Sequence, residues 1–276
     1  MEILILSTYN LSTINSLSTF SFVEKQNNKR SYYNCTTKCL KKKEKYDKIR
    51  EIIVKKGVFP MQGKDIILFD LDGTITDSKK GIFASISYAL DYFKITDKAE
   101  EKLQKFLGPP LVSAFMEHYG MCEEEANLAL IKYREFYSKT GVFMLSMYEG
   151  FDTLIKTLKE KGYTTALATS KPIFYAEKIL ERIGIKPYFD YLCGATMDET
   201  MNEKEDIIRY TIEQNGYDKS RVLMVGDRKN DIEGAKKNGV EALGVLYGYG
   251  SYEELKNVGC KYFAETVEET LYKILE

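Results

Sequence analysis

The chain has 276 residues, 44% of them hydrophobic, which is enough for one or two domains with a sizeable core. Its 40 basic residues nearly balance 41 acidic ones, leaving a net charge of −1, so bulk charge gives no case for nucleic acid and local patches would have to supply one. No uncharged apolar run reads as a membrane-spanning helix, and an odd, scattered set of 5 cysteines favours reduced thiols and the cytoplasm.

Residues 1–60 differ from the rest and are expected to be an extension, disordered or weakly helical. Residues 3–23 are rich in Ser, Thr and Asn and carry no charge, whereas 25–56 is strongly basic. No basic segment precedes the early apolar residues, so a secretory signal fits poorly; a transit peptide fits the Ser/Thr content but not the scarcity of arginine. Residues 41–56 could form a basic helix with Ile49, Ile52 and Ile53 on one side. Cys35 and Cys39 invite a zinc reading, but no second Cys/His pair follows at a matching distance. Met61 stands just before the first core strand, so a chain beginning there would carry the whole core, and 1–60 is expected to be dispensable.

Ile66-Ile67-Leu68-Phe69 reads as a buried strand, followed at once by Asp70-Leu71-Asp72-Gly73-Thr74. Strand residues two apart share a face, so Asp70 and Asp72 reach one small volume past the strand end. That pair suits a magnesium-held phosphate, with one carboxylate free to attack it. A largely helical stretch then runs over 78–147. Within it Ile82, Phe83, Ile86, Ala89 and Leu90 have helical spacing, as do Ala126, Leu130 and Tyr133, and Gly108-Pro109-Pro110 breaks the run.

From residue 148 onward, helical segments alternate with short apolar strands at 164–168, 191–193, 222–225, 242–245 and 262–264. Such alternation argues an α/β fold, a Rossmann-like parallel sheet with helices on both faces, interrupted by an all-helical insertion. The expected boundaries are 61–78 and 147–276 for the α/β core and 79–146 for the helical part. Three strands end in polar chemistry: one at Asp70, one at Thr169-Ser170-Lys171, one at Gly226-Asp227 with Asp231 following. Ligands of open parallel sheets sit beyond the carboxyl ends of the strands, so these three signals point to one place.

Asp70-Leu71-Asp72-Gly73-Thr74, Thr169, Lys204 and Gly226-Asp227-Arg228-Lys229-Asn230-Asp231 together resemble the four ordered motifs of the haloacid dehalogenase (HAD) superfamily. The likeness covers about residues 64–276. Gly108-Pro109-Pro110-Leu111, and Gly194-Ala195-Thr196-Met197-Asp198 leading to Lys204, resemble the phosphoglycolate phosphatase and 5′-nucleotidase-like branch. The resemblance implies a HAD-like core with a helical cap and a Mg2+-dependent phosphomonoester hydrolase acting on a small phosphorylated metabolite. It would work as a monomer or homodimer, without nucleic-acid or membrane partners. A sugar phosphomutase, or a non-catalytic binding protein on the same fold, is the alternative.

Carried over residue by residue, the resemblance makes Asp70 the nucleophile and Asp72 the general acid/base. Asp72 would meet magnesium through its backbone carbonyl rather than its side chain. Gly73 lets the chain leave the strand sharply beside the phosphate. Thr169 would donate its hydroxyl to the phosphate, with backbone N–H groups of Thr169, Ser170 and Lys171 opening the next helix. Lys204 would set positive charge against the phosphate, on a helix start with Asn202 as cap and Glu205 at the capping-box position; Lys171 is second choice. Asp227 would bind the metal with Asp70, while Asp231 would bind through water or hold Lys204. The bland readings stay open beside these: capping by Asp70 or Thr169, a surface Lys204, a loop role for Asp227 and Asp231. Arg228 is read as a surface residue rather than a ligand, Tyr133-Arg134 as a solvated helix face in preference to a substrate contact, Met144 and Met147 as packing or hinge residues, and the lone His118 as surface or core in preference to a substrate contact.

Overall fold

The computed structural model describes residues 23–26, 29–32, 63–108, 110–197 and 200–275. Two compact units divide the chain, Met1–Val58 and Phe59–Glu276. In the first, β1 (Val23–Gln26) and β2 (Lys29–Tyr32) pair antiparallel with Gln26 opposite Lys29. These two strands lie within the segment expected to be a disordered or weakly helical extension. The basic helix over 41–56, the Cys35–Cys39 pair and the Met61 start lie outside the described residues.

The second unit opens with β3 (Ile66–Phe69), all four residues buried. Ile67 and Phe69 enter one apolar cluster with Phe151, Leu154 and Leu271, while Ile66 and Leu68 enter another with Ile207 and Ala235. Alternate side chains thus meet helices on both faces, which is why this strand is apolar throughout rather than alternating. A short β4 (Thr76–Asp77) follows. Four helices come next: α1 (Lys79–Tyr92), α2 (Glu100–Gln104), α3 (Leu111–Tyr119) and α4 (Glu123–Tyr137). The chain returns through β5 (Ser146–Met147), which pairs antiparallel with β4 at Thr76–Met147 and Asp77–Ser146. The two connections of the helical segment therefore run side by side.

The remaining elements alternate: α5 (Phe151–Glu160), β6 (Thr164–Pro172), α6 (Ile173–Arg182), β7 (Tyr191–Ala195), α7 (Lys204–Asn215), β8 (Val222–Gly226), α8 (Lys229–Lys237), β9 (Glu241–Val245), α9 (Tyr252–Asn257), β10 (Tyr262–Ala264) and α10 (Val267–Leu275). The sheet order is β10-β9-β8-β3-β6-β7, every pairing parallel. The chain moves outward from β3 to β6 and β7, then resumes on the other side at β8. The order reverses at β3, so the crevice for a ligand opens beyond its carboxyl end, where Asp70 stands. Among the described residues, no helix is long and apolar enough to cross a membrane.

Two local expectations are corrected. Helix α7 begins at Lys204 with Glu203, not Asn202, as the preceding extended residue, and no side chain caps it. Glu205 is drawn to Lys237 at 2.7 Å instead of closing a capping box. Strand β6 runs on to Pro172, with an irregular register between Thr169 and Pro172. Thr169, Ser170 and Lys171 thus occupy a distorted strand end rather than the first turn of a helix.

Candidate active site

Asp70 extends the β3 ladder, its N–H donating to Val225 O at 3.0 Å. Its Oδ1 lies 2.6 Å from Lys204 Nζ. The same ammonium donates to Ala168 O at 3.0 Å and lies 2.8 Å from Asp231 Oδ1. Helix α7 thus delivers Lys204 between the ends of β3, β6 and β8. Asp231 sits in the first turn of α8, where its Oδ2 accepts from Arg228 N–H at 3.0 Å. Asp227, at the end of β8, accepts from Thr74 Oγ1 at 3.2 Å and from Tyr249 N–H at 2.8 Å.

Asp70, Asp227 and Asp231 each offer an oxygen within 4.8 Å of the others. They are 8%, 0% and 1% exposed, and Lys204 is 5% exposed. Of these three buried carboxylates, Asp70 and Asp231 pair with the buried Lys204 ammonium, and Asp227 stands beside them without it. Burial, opposed by Lys204 and reinforced by Asp231, raises Asp70 to about 6. Burial, with Asp231 and Asp70 adding to it, pushes Asp227 well above the usual carboxylate range. Burial works against the Lys204 charge, but Asp231 and Asp70 outweigh it and hold the ammonium above its ordinary value. An alanine Cβ at Gly226 would fall 2.2 Å from Asp231 Cγ, so glycine is required where Asp231 folds back over the strand end.

Gly73 lies beneath Asp227: a Cβ there would fall 2.1 Å from Asp227 Oδ2, and its φ of +87° is one that only glycine adopts readily. Gly73→Ala is accordingly expected to displace Asp227, lowering the melting temperature by about 5–10 °C and removing most activity. A thermal melt within 2 °C of the parent, with full activity, would contradict this packing.

A cavity of about 370 Å³ opens over these groups. Asp70, Asp72, Thr169, Ser170, Lys171, Lys204 and Asp231 line it; Gly73 and Asp227, packed against each other, are not among its lining residues. The Asp72 carboxylate is not part of the acidic cluster. It turns to Lys171, with Nζ 2.6 Å from Oδ2, so any contribution of Asp72 to a metal falls to its backbone carbonyl. The structure divides the two candidate lysines: Lys204 serves Asp70 and Asp231, and Lys171 serves Asp72.

The helical segment covers the cavity with Phe106, Leu111, Leu130, Tyr133 and Tyr137. Tyr133 is buried, which corrects the reading of Tyr133-Arg134 as a solvated face; Arg134 also lines the cavity. Residues 126, 130, 133 and 137 fall on one helical face, and that spacing was the available signal for Tyr137. Arg228 is likewise no plain surface residue. Its Nε is 2.8 Å from Glu254 Oε1, and its guanidinium donates to the Leu107 carbonyl across the cavity mouth. His118 packs its ring against Phe106 at 5.9 Å, away from the acidic cluster. Tyr249, not anticipated, ties Asp227 to the β4 end: its hydroxyl accepts from Ser78 N–H at 2.8 Å and donates to Asp77 Oδ1 at 3.2 Å.

The sequence pattern of the haloacid dehalogenase-like hydrolases matches residues 67–245. A 5′-nucleotidase of Pseudomonas aeruginosa is 39% identical over 190 residues, which is 69% of this chain and 86% of that protein. The tyrosine-protein kinase PtkA of Mycobacterium tuberculosis is 34% identical over 69% of this chain and 65% of its own length. A predicted phosphatase of Clostridium acetobutylicum, solved by crystallography, has a TM-score of 0.73 at 42% identity, covering 77% of this chain and 98% of its own. Some more distant relatives are named phosphoglycolate phosphatases. A parallel sheet with buried carboxylates gathered at its switch point is the arrangement described above, and the chain belongs to the haloacid dehalogenase-like hydrolase family. Within that family it is a phosphatase.

Proposed function

We propose that this chain is a magnesium-dependent phosphomonoesterase that works through a phosphoryl group held transiently on Asp70. The observation that carries the reading is the placement of Asp70: a buried carboxylate at the switch point, 2.6 Å from Lys204 and open to the cavity that Asp72 shares. The donor set fits a hard divalent cation. Asp70, Asp227 and Asp231 supply only carboxylate oxygens, and their burial against one ammonium leaves negative charge for a cation to neutralise. Magnesium bound there would add positive charge against the phosphoryl oxygens.

The protein's own groups do the rest. Thr169, Ser170 and Lys171 at the distorted end of β6, with the Lys204 ammonium, hold the phosphate so that Asp70 faces phosphorus. Asp70 attacks, and the bond from phosphorus to the ester oxygen breaks. Asp72, which enters the cycle carrying a proton, gives it to the departing alkoxide. Asp72 then takes a proton from water as that water attacks phosphorus, and the Asp70 carboxylate is restored. Lys204 stays charged throughout and offsets negative charge as it concentrates in the transition state. Residues 79–146 act as a cap over the cavity, pivoting at the β4–β5 ribbon and excluding bulk water during transfer.

The substrate class is a small phosphorylated metabolite, handled in a 5′-nucleotidase-like or phosphoglycolate phosphatase-like manner. The test is release of inorganic phosphate from nucleoside monophosphates, phosphoglycolate and sugar phosphates, with and without magnesium. Magnesium-dependent release from at least one group is expected. Transfer of the phosphoryl group to another acceptor with no free phosphate would overturn the hydrolase reading.

A further inference from the structure

Two polar atoms beside the Asp70 site have no hydrogen-bond partner. Among the described residues, Asp72 Oδ1 and Tyr137 Oη are buried and unbonded, and both residues line the same cavity. A third such atom, Asp231 Oδ1, has the Lys204 ammonium 2.8 Å away. Buried polar atoms in folded proteins are almost always paired, so an unpaired donor and an unpaired acceptor at a reaction site call for a partner that is not part of the protein.

The surroundings hold both groups in place. Lys171 holds Asp72 Oδ2 at 2.6 Å, while Oδ1 has no protein partner among the described residues. The same Lys171 Nζ lies 5.0 Å from the centre of the Tyr137 ring. That ring stacks on Tyr133 at 5.2 Å and 12°, and meets Tyr175 edge-on at 5.5 Å. One lysine thus joins the two groups, and the phenol is clamped on three sides. Burial, and then the Asp72 charge, keep its hydroxyl protonated and therefore a donor.

The chemistry of the two atoms identifies the missing partner. Once Asp72 has given its proton to the leaving group, its carboxylate oxygen accepts and the phenol donates, so a single partner for both must donate once and accept once. An ionised phosphoryl oxygen only accepts. Water does both. We propose that Tyr137, contributed by the helical segment, is a catalytic residue that donates to the hydrolytic water while Asp72 Oδ1 receives that water's proton. The water gives its electron pair to phosphorus and its proton to Asp72, the bond from phosphorus to Asp70 breaks, and Tyr137 keeps its own proton. The assignment rests on the phosphatase reading above.

Tyr137→Phe removes the hydroxyl and keeps the ring contacts. On p-nitrophenyl phosphate, kcat is expected to fall about 10-fold or more with KM not raised. A burst of nitrophenolate equal to the enzyme should appear as phosphoryl-enzyme accumulates. The same fold loss is expected on a nucleoside monophosphate, because the water step is common to every substrate. A kcat within 2-fold of the parent, a change in KM alone, or a loss confined to one substrate would overturn the assignment. Orthovanadate binding, measured by calorimetry, reads the same contact without turnover: the variant should bind vanadate about 10-fold more weakly and inorganic phosphate as well as the parent does. Equal vanadate affinity would overturn the role of Tyr137. A parent that releases phosphate from no ester would overturn the phosphatase reading and this role with it, whereas an active parent matched by Tyr137→Phe would overturn the Tyr137 assignment alone.

Discussion

Asp70→Asn is expected to abolish turnover, lowering kcat by about 10⁴-fold or more, while the protein stays folded. The amide has the shape of the carboxylate but no nucleophilic oxygen, so the first phosphoryl transfer cannot begin. Loss of Asp70's charge also removes one of three carboxylates that repel each other in a buried space, while Lys204 keeps Asp231 at 2.8 Å. Folded Asp70 carries a penalty once it ionises, so the cation-free variant should melt no lower than the cation-free parent at pH 7.5. Rapid-quench assays and thermal melts check both halves. Substantial retained turnover would mean that another group attacks phosphorus.

Removal of divalent cation is expected to silence the enzyme, and its effect on stability should depend on pH with a definite sign. Asp70 releases its proton near its ordinary value of about 3.9 in the unfolded chain. In the fold it does so at about 6. Between these values the native state binds more protons than the unfolded state, so the cation-free protein loses stability as pH rises through that window. Asp227, displaced in the same direction, adds to the loss. A cation binds the ionised carboxylates and relieves this, so magnesium should raise the melting temperature little at pH 5 and by about 5–10 °C at pH 7.5 when present at about 100 times its dissociation constant. Melts in chelator and in magnesium across pH 5–8 provide the measurement. Equal stabilisation at both ends of that range would argue against cation binding to these carboxylates.

Much of this arrangement was legible in the sequence because a few positions answer to strong local constraints. Residues 66–69 are buried on both faces and so had to be apolar throughout. Carboxylates at strand ends stand out against such runs, and Gly73 and Gly226 are fixed by contacts that leave no room for a Cβ. Tyr137, Arg228 and Tyr249 were less visible. Each is placed by what it meets on a distant element: Lys171 from β6, the Leu107 carbonyl from the helical segment, Ser78 at the end of β4. Helical spacing marks which residues share a face but not which face meets the cavity. Glu205 shows the same limit, since its capping-box position was outweighed by Lys237 on the neighbouring helix.

The pairing of Thr76 with Met147 and Asp77 with Ser146 carries an evolutionary consequence. The polypeptide departs from the sheet and comes back at neighbouring points, so a lineage can lengthen, shorten or exchange the intervening helices with little effect on how the parallel strands align. Tyr137 stands on those helices, so its place at the end of α4 is a point where such drift would meet the reaction site.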